Sequence, residues 1–194
     1  MTPEEMAFVE EHYEIHEWRH ARAILERDFP EEWSEIVAVL AQFRLLRSDI
    51  LTPGGGKSPI SAKIDGALAD LGWKEKSFDT KILVDDCEMS SPTHGVDCIK
   101  SAVGLEIEWN NKDPFYDRDL NNFRLLFELR ALSVGVVVTR SDELQSLFNE
   151  LGKGASYGAS TTHMGKLIPK LEGGGGGGCP VLVFGITRRL YVED

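Results

Sequence analysis

The sequence predicts an α/β domain, a central mixed sheet flanked by helices, and three observations predict it. Val134–Thr139 and Val181–Ile186 are short, continuous, largely β-branched runs, the pattern of strands buried on both faces. The stretch GVDCIKSAVGLEIEWNN, residues 95–111, alternates polar and apolar side chains around a short turn and predicts a hairpin. Amphipathic segments with helical spacing separate these strands, which is the order of a sheet covered by helices. A chain of 194 residues can bury one proper core, so 1–194 is expected to be a single domain. Within it an acidic helical part reaches about residue 47 and the core spans about 60–190.

Thr2, Pro3 and Glu5 form a capping-box pattern with proline in the first turn, opening a helix expected to run to about Arg27. A second helix is expected over Glu31–Arg47. The loop Leu51–Ser58 carries Gly54, Gly55, Gly56, Lys57 and Ser58, similar to a phosphate-binding P-loop. That motif needs a further glycine where this chain has Leu51 and a strand upstream where it has a helix. The segment therefore reads as a flexible connector, with contact to DNA as the alternative. Ser61–Leu71 suits a helix closed by Gly72, and Thr80–Val84 a strand. After the hairpin come a polar loop, Asn110–Asp113, and a helix over Asp117–Leu132. Asp142–Leu151 predicts another helix, 152–160 a loop, and Ser160 or Thr161 the start of a helix reaching Leu171. The six glycines 173–178 read as a hinge or solvent loop.

The net charge of −11 argues at first against a polyanionic partner. Residues 1–36 hold eleven acidic and three basic side chains, however, a net of −8 that leaves −3 for the rest of the chain. This acid load is expected on solvated helices away from the active face. No apolar run approaches the length of a membrane span and no signal peptide is recognisable, so no membrane partner and a cytoplasmic location are expected. Cys87, Cys98 and Cys179 cannot all pair and are expected to be reduced. With His94 they raise a zinc-stabilised interaction protein as a rival, without the CxxC or HxxxH spacing that zinc sites use.

A turn centred on Ser101 and Ala102 sets Asp97 opposite Glu106, with Cβ atoms about 5 Å apart. Glu106 and Glu108 project together, while Leu105, Ile107 and Trp109 turn to the core. Three carboxylates on one patch raise one another's pKa unless a cation intervenes, and an oxygen-only cluster suits Mg²⁺. Gly95 falls opposite Glu108 in the same register and is expected to leave a gap that a phosphate can enter.

With these features in place, the chain resembles type II restriction endonucleases of the BglII family, within the PD-(D/E)xK nuclease superfamily, over residues 10–187. The resemblance rests on GWKE at 72–75, the D-x8-E-x-E spacing of Asp97, Glu106 and Glu108, the WNN loop at 109–111, the Ser/Thr loop at 156–162 and the closing CPVLVFGI strand. It implies a PD-(D/E)xK fold and a Mg²⁺-dependent, homodimeric, sequence-specific nuclease acting on double-stranded DNA. Asp97 and Glu106 would hold the metal, assisted by the carbonyl of Ile107. Glu108 stands where the superfamily usually has lysine and would serve as ligand or general base. Asn110 and Asn111 would contact bases, an asparagine amide being able to pair with adenine. Ser156, Tyr157, Ser160 and Thr161 would contact bases or phosphates, and Lys76, beside Glu75, a phosphate. If the resemblance extends to target choice, the site is a palindrome with a GATC core, protected in the host by a methyltransferase. A structure-selective repair nuclease, or a DNA-binding module without catalysis, would share the same fold.

Overall fold

The computed structural model describes residues 1–53, 56–90 and 94–194. Gly54 and Gly55 of the glycine-rich connector lie outside the described residues. In chain order the helices are α1 (Pro3–His12), α2 (Ala21–Asp28), α3 (Pro30–Gln42), α4 (Arg47–Leu51), α5 (Pro59–Asp70), α6 (Pro114–Glu128), α7 (Leu144–Glu150) and α8 (Met164–Glu172). The strands are β1 (Tyr13–Trp18), β2 (Leu45–Leu46), β3 (Lys74–Lys76), β4 (Lys81–Val84), β5 (Cys87–Ser90), β6 (Val96–Lys100), β7 (Val103–Ile107), β8 (Val134–Arg140), β9 (Val181–Ile186) and β10 (Tyr191–Val192).

Six strands form one sheet in the order β1-β9-β8-β7-β6-β3. The central β7, β8 and β9 run parallel, whereas β6 pairs antiparallel with β7 and β1 with β9, so the sheet is mixed. On one face Leu105, Ile107, Trp109, Val136 and Phe184 meet α1, α2, α3, α5 and α7 in the larger core. On the other, Val137, Val181 and Val183 meet α6 and α8. The predicted arrangement of a mixed sheet between helices is the observed one.

Several elements differ from expectation. The capping box at Thr2 and Glu5 forms, but the first helix ends at His12. Residues 13–18 become β1, pairing from Tyr13↔Ile186 to Trp18↔Val181. Tyr13 and Ile15 pack into the larger core while Trp18 packs against the other. Backbone partners offered by the apolar β9 override a segment whose sequence reads equally well as helix. The second helix likewise stops at Gln42, and Leu45–Leu46 pairs with β10.

The glycine run is not wholly a solvent loop. Gly176 is buried, and a Cβ on Gly177 would lie 2.5 Å from Arg124 Cγ, so this end of the run lets the chain press against α6. The N-terminal acids also do more than face solvent. Lys100, at the tip of the β6–β7 hairpin, pairs with Glu31 at 3.0 Å and Glu35 at 2.6 Å, and Ser101 Oγ donates to Glu32 Oε1 at 2.6 Å. Acidic residues of α3 thus clasp the hairpin that carries the predicted carboxylates.

Candidate active site

The β6–β7 register is Cys98↔Leu105, Ile99↔Gly104 and Lys100↔Val103, as the turn at Ser101 and Ala102 predicts. Ser101 takes the left-handed conformation, φ +51°, that closes so tight a turn. Just beyond the paired residues, the Asp97 amide donates to Glu106 Oε2 at 3.3 Å and the Ile107 amide donates to Asp97 Oδ2 at 3.0 Å. Asp97 and Glu106 are therefore locked together. β7 ends at Ile107, but the Glu108 amide still donates to Val138 O at 2.9 Å, which holds Glu108 on the Glu106 face.

That face is closed by α6. A Cβ on Gly135 would lie 2.5 Å from Phe123 Cδ2, so the bare backbone there admits the helix directly onto the sheet. The close approach brings Asp119 and Arg118 to the carboxylates. Glu106 is 0% exposed, Glu108 1% and Asp119 2%, and both Glu106 Oε1 and Asp119 Oδ2 are buried without a hydrogen-bond partner. Arg118 reaches Asp119 at 2.8 Å and Glu108 at 3.6 Å, and Asn111 Nδ2 donates to Glu108 Oε2 at 2.7 Å.

One guanidinium among four carboxyls leaves them short of positive charge. Burial, then repulsion from Asp119 and Asp97, holds the Glu106 carboxyl well above its usual range. Burial and the Asp119 carboxyl push Glu108 up to about 9. Burial also raises Asp97, against the Ile107 amide and the Lys57 ammonium.

Asp97 and Ile107 open onto a cleft of about 670 Å³, also lined by Trp109, Asn110, Asn111, Ser156 and Tyr157. The structure thus brings together most of the predicted site, on both sides of β7. Asn110 adopts φ +59°, and its Oδ1 is buried without a partner. Tyr157 stacks on Phe148 with ring centroids 4.0 Å apart and is largely buried, so its ring is structural. Ser160 and Thr161 do not line the cleft. Thr161 Oγ1 donates to Gly158 O and accepts from Arg140, while the Ser160 carbonyl accepts from the Asp113 amide. Lys76 points away from the cleft, its ammonium 4.5 Å from the Phe78 ring centroid, and Glu75 is the β3 residue that lines the cleft. The gap expected at Gly95 is filled, since a Cβ there would meet Glu75 Oε1 and Ser77 Oγ at 3.3 Å.

Cys98 and Cys179 are buried in cores on opposite sides of the sheet, and Cys87 is exposed. Among the described residues, no three His, Cys, Asp or Glu side chains converge as a preassembled metal cage, and no helix is long and apolar enough to cross a membrane.

A family model described as restriction endonuclease BglII/BglIII matches residues 13–186, from the first residue of β1 to the last of β9. The chain belongs to the BglII/BglIII restriction endonuclease family. It is accordingly a site-specific deoxyribonuclease, a hydrolase that binds double-stranded DNA on a PD-(D/E)xK-like fold. No curated protein matches the chain.

Sequence reasoning missed three residues around this endonuclease site. Asp119 shares the buried stripe of α6 with Tyr116, Leu120 and Phe123, and a carboxylate at helical spacing within an apolar stripe was the available signal. Arg118 is its neighbour. Arg140, at the end of β8, is 1% exposed and donates to the carbonyls of Tyr157 and Thr162, shaping the loop 156–162 from beneath. An arginine ending a buried strand otherwise made mostly of valines was the signal there.

Proposed function

We propose that this restriction endonuclease is a Mg²⁺-dependent, homodimeric enzyme that cuts a palindromic duplex site with a GATC core, alongside a methyltransferase that protects the same site in the cytoplasm. The observation that carries the reading is the Asp97–Glu106 pair, locked by two backbone hydrogen bonds, with Asp97 lining the cleft and Glu106 buried behind it. The donor set fits a hard divalent cation. It is oxygen only, and Glu106 Oε1 is buried with no partner. Asp97 and Glu106, with the Ile107 carbonyl, would hold the ion, and Glu108 lies beside them as a further ligand or base. When bound, such an ion neutralises the phosphate and lowers the pKa of the attacking water.

The chain's own residues supply the rest. Asp97 faces the cleft and fixes the Ile107 backbone, so a phosphodiester entering the cleft meets the edge of β7. Asn111 and Arg118 fix the Glu108 carboxyl from two sides, which would hold it beside Asp97 and Glu106 as a further ligand or base. Asn110, Asn111 and Ser156 line the same cleft and are the proposed base and phosphate contacts, with Ser160 and Thr161 framing the loop and Tyr157 supporting it from below. Lys76 would reach only DNA flanking the cleft. A palindrome matches a two-fold dimer, each subunit cutting one strand.

Incubation of the purified protein with sequenced linear DNA tests this, with Mg²⁺, with EDTA, and as Asp97→Asn with Mg²⁺. Discrete ends from the wild type with Mg²⁺ alone are expected. Intact DNA, on substrates holding every hexanucleotide with a GATC core, would overturn the proposed specificity.

A further inference from the structure

The glycine-rich connector, whose likeness to a P-loop fails, nevertheless delivers a lysine to the site. Lys57 and Asp97 line the same cleft although they are forty residues apart in sequence. The link between them is continuous. Lys57 Nζ pairs with Asp65 Oδ2 on α5, and the Cys98 thiol, next to Asp97 on β6, donates to Asp65 Oδ1 at 3.2 Å. The Lys57 side chain is 50% exposed, so Asp65 holds the ammonium without closing it off. An ammonium has three donors, and the pair with Asp65 leaves others for a ligand in the cleft.

The carboxylates need such a charge. Glu108 occupies the position where the superfamily resemblance implies lysine, which leaves β7 without a cation. Arg118 is committed to Asp119 and Glu108 on the α6 side and does not line the cleft. Among the described residues, the cleft is lined by two lysines, Lys57 and Lys153. Of these, Lys57 is the one whose charge acts on Asp97.

We propose that Lys57 contacts the phosphate cleaved at Asp97 and Glu106, supplying from the α4–α5 connector the positive charge that β7 lacks. This rests on the nuclease reading of the site. It assigns a function to the Lys57–Ser58 end of the connector that its spacing as a P-loop denies.

The test separates binding from chemistry. Lys57→Gln, Lys57→Arg and wild type are compared in single-turnover cleavage of a cognate duplex at saturating enzyme and Mg²⁺. Affinity for the same duplex is measured in Ca²⁺, and a thermal melt checks each fold. Removing a charge aimed at the transition state is expected to slow Lys57→Gln by about 10²-fold. Affinity should change by less than about threefold, as for one of many phosphate contacts, and Lys57→Arg should cleave faster than Lys57→Gln. A folded Lys57→Gln slowed by less than tenfold would overturn the proposal while wild-type cleavage leaves the nuclease reading intact. A Lys57→Arg variant no faster than Lys57→Gln would overturn it too. Absence of cleavage by the wild type on every duplex would instead remove the nuclease reading, and the proposal with it.

Discussion

Two groups of acidic residues in this endonuclease have the same chemistry and opposite surroundings. In the N-terminal helical part, Glu10 and Glu26 flank Arg22 at 2.9 and 2.8 Å, and Glu31 and Glu35 flank Lys100, all with solvent in reach. At the junction of β7 and α6, Glu106, Glu108 and Asp119 are buried together; among the described residues Arg118 is the cation paired with Glu108 and Asp119, and Glu106 Oε1 and Asp119 Oδ2 have no hydrogen-bond partner. Exposed pairs contribute little to stability because water already screens them. Buried, under-paired carboxyls act against the fold, and their place beside the cleft of a nuclease points to what they bind.

The sharpest break of this comparison is Glu106→Gln. An amide keeps the shape, removes the negative charge and relieves the repulsion from Asp97 and Asp119. Cleavage of a cognate duplex should fall by about 10³-fold, the scale of losing a main transition-state contact. The metal-free protein should at the same time melt higher, by roughly 3 °C or more near neutral pH, as about 1 kcal/mol is worth in a chain of this size. A calorimetric melt in EDTA beside a cleavage assay reads both. A variant that loses activity and also melts lower would show that Glu106 supports the fold.

Next in size is the pH dependence of the same cluster. In the folded, metal-free protein Glu106, Glu108 and Asp119 hold their protons to higher pH than in the unfolded chain, Glu108 to about 9. Through Glu108 the folded state therefore binds more protons across the window from about pH 4.5 to 9, and stability falls as pH rises through it, by up to about 1.4 kcal/mol per unit, with Glu106 and Asp119 acting in the same direction. Denaturant unfolding in EDTA should give a lower midpoint at pH 8 than at pH 6. Millimolar Mg²⁺, binding the folded state alone, should raise the midpoint more at pH 8, where it displaces fewer protons. Equal midpoints at the two pH values in EDTA would show that the cluster is already neutralised.

The contrast also explains what could be read from the sequence. The hairpin register was legible because a small turn and strict alternation leave a single pairing that sends Leu105, Ile107 and Trp109 to the core together. β8 and β9 were legible because few structures other than buried strands use such continuous β-branched runs. β1 was not, because Tyr13–Trp18 becomes a strand through β9, a partner some 170 residues away. Asp119 was hidden for a related reason. Its value to the site depends on how closely α6 lies on β7 and β8, which is decided by Gly135 meeting Phe123 across the two layers. Lys57 sits in a segment read as a flexible connector, because its spacing fails as a P-loop and its place beside Asp97 depends on contacts between residues forty apart.

The smallest effect lies at the other pole. Arg22 is about one-third exposed and flanked by Glu10 and Glu26, so Arg22→Gln leaves two carboxylates that water can still solvate. Its cost should be about 0.5 kcal/mol at low ionic strength, and it should shrink with added salt because the Debye length contracts to about 3 Å at 1 M. Denaturant melts at low and high NaCl measure both quantities. The Glu106→Gln melt should respond far less to NaCl, since its repulsion acts through protein rather than through solution. If the two variants shared one salt dependence, burial would not be what distinguishes the clusters, and the case for a bound cation at Glu106 would lose its physical basis.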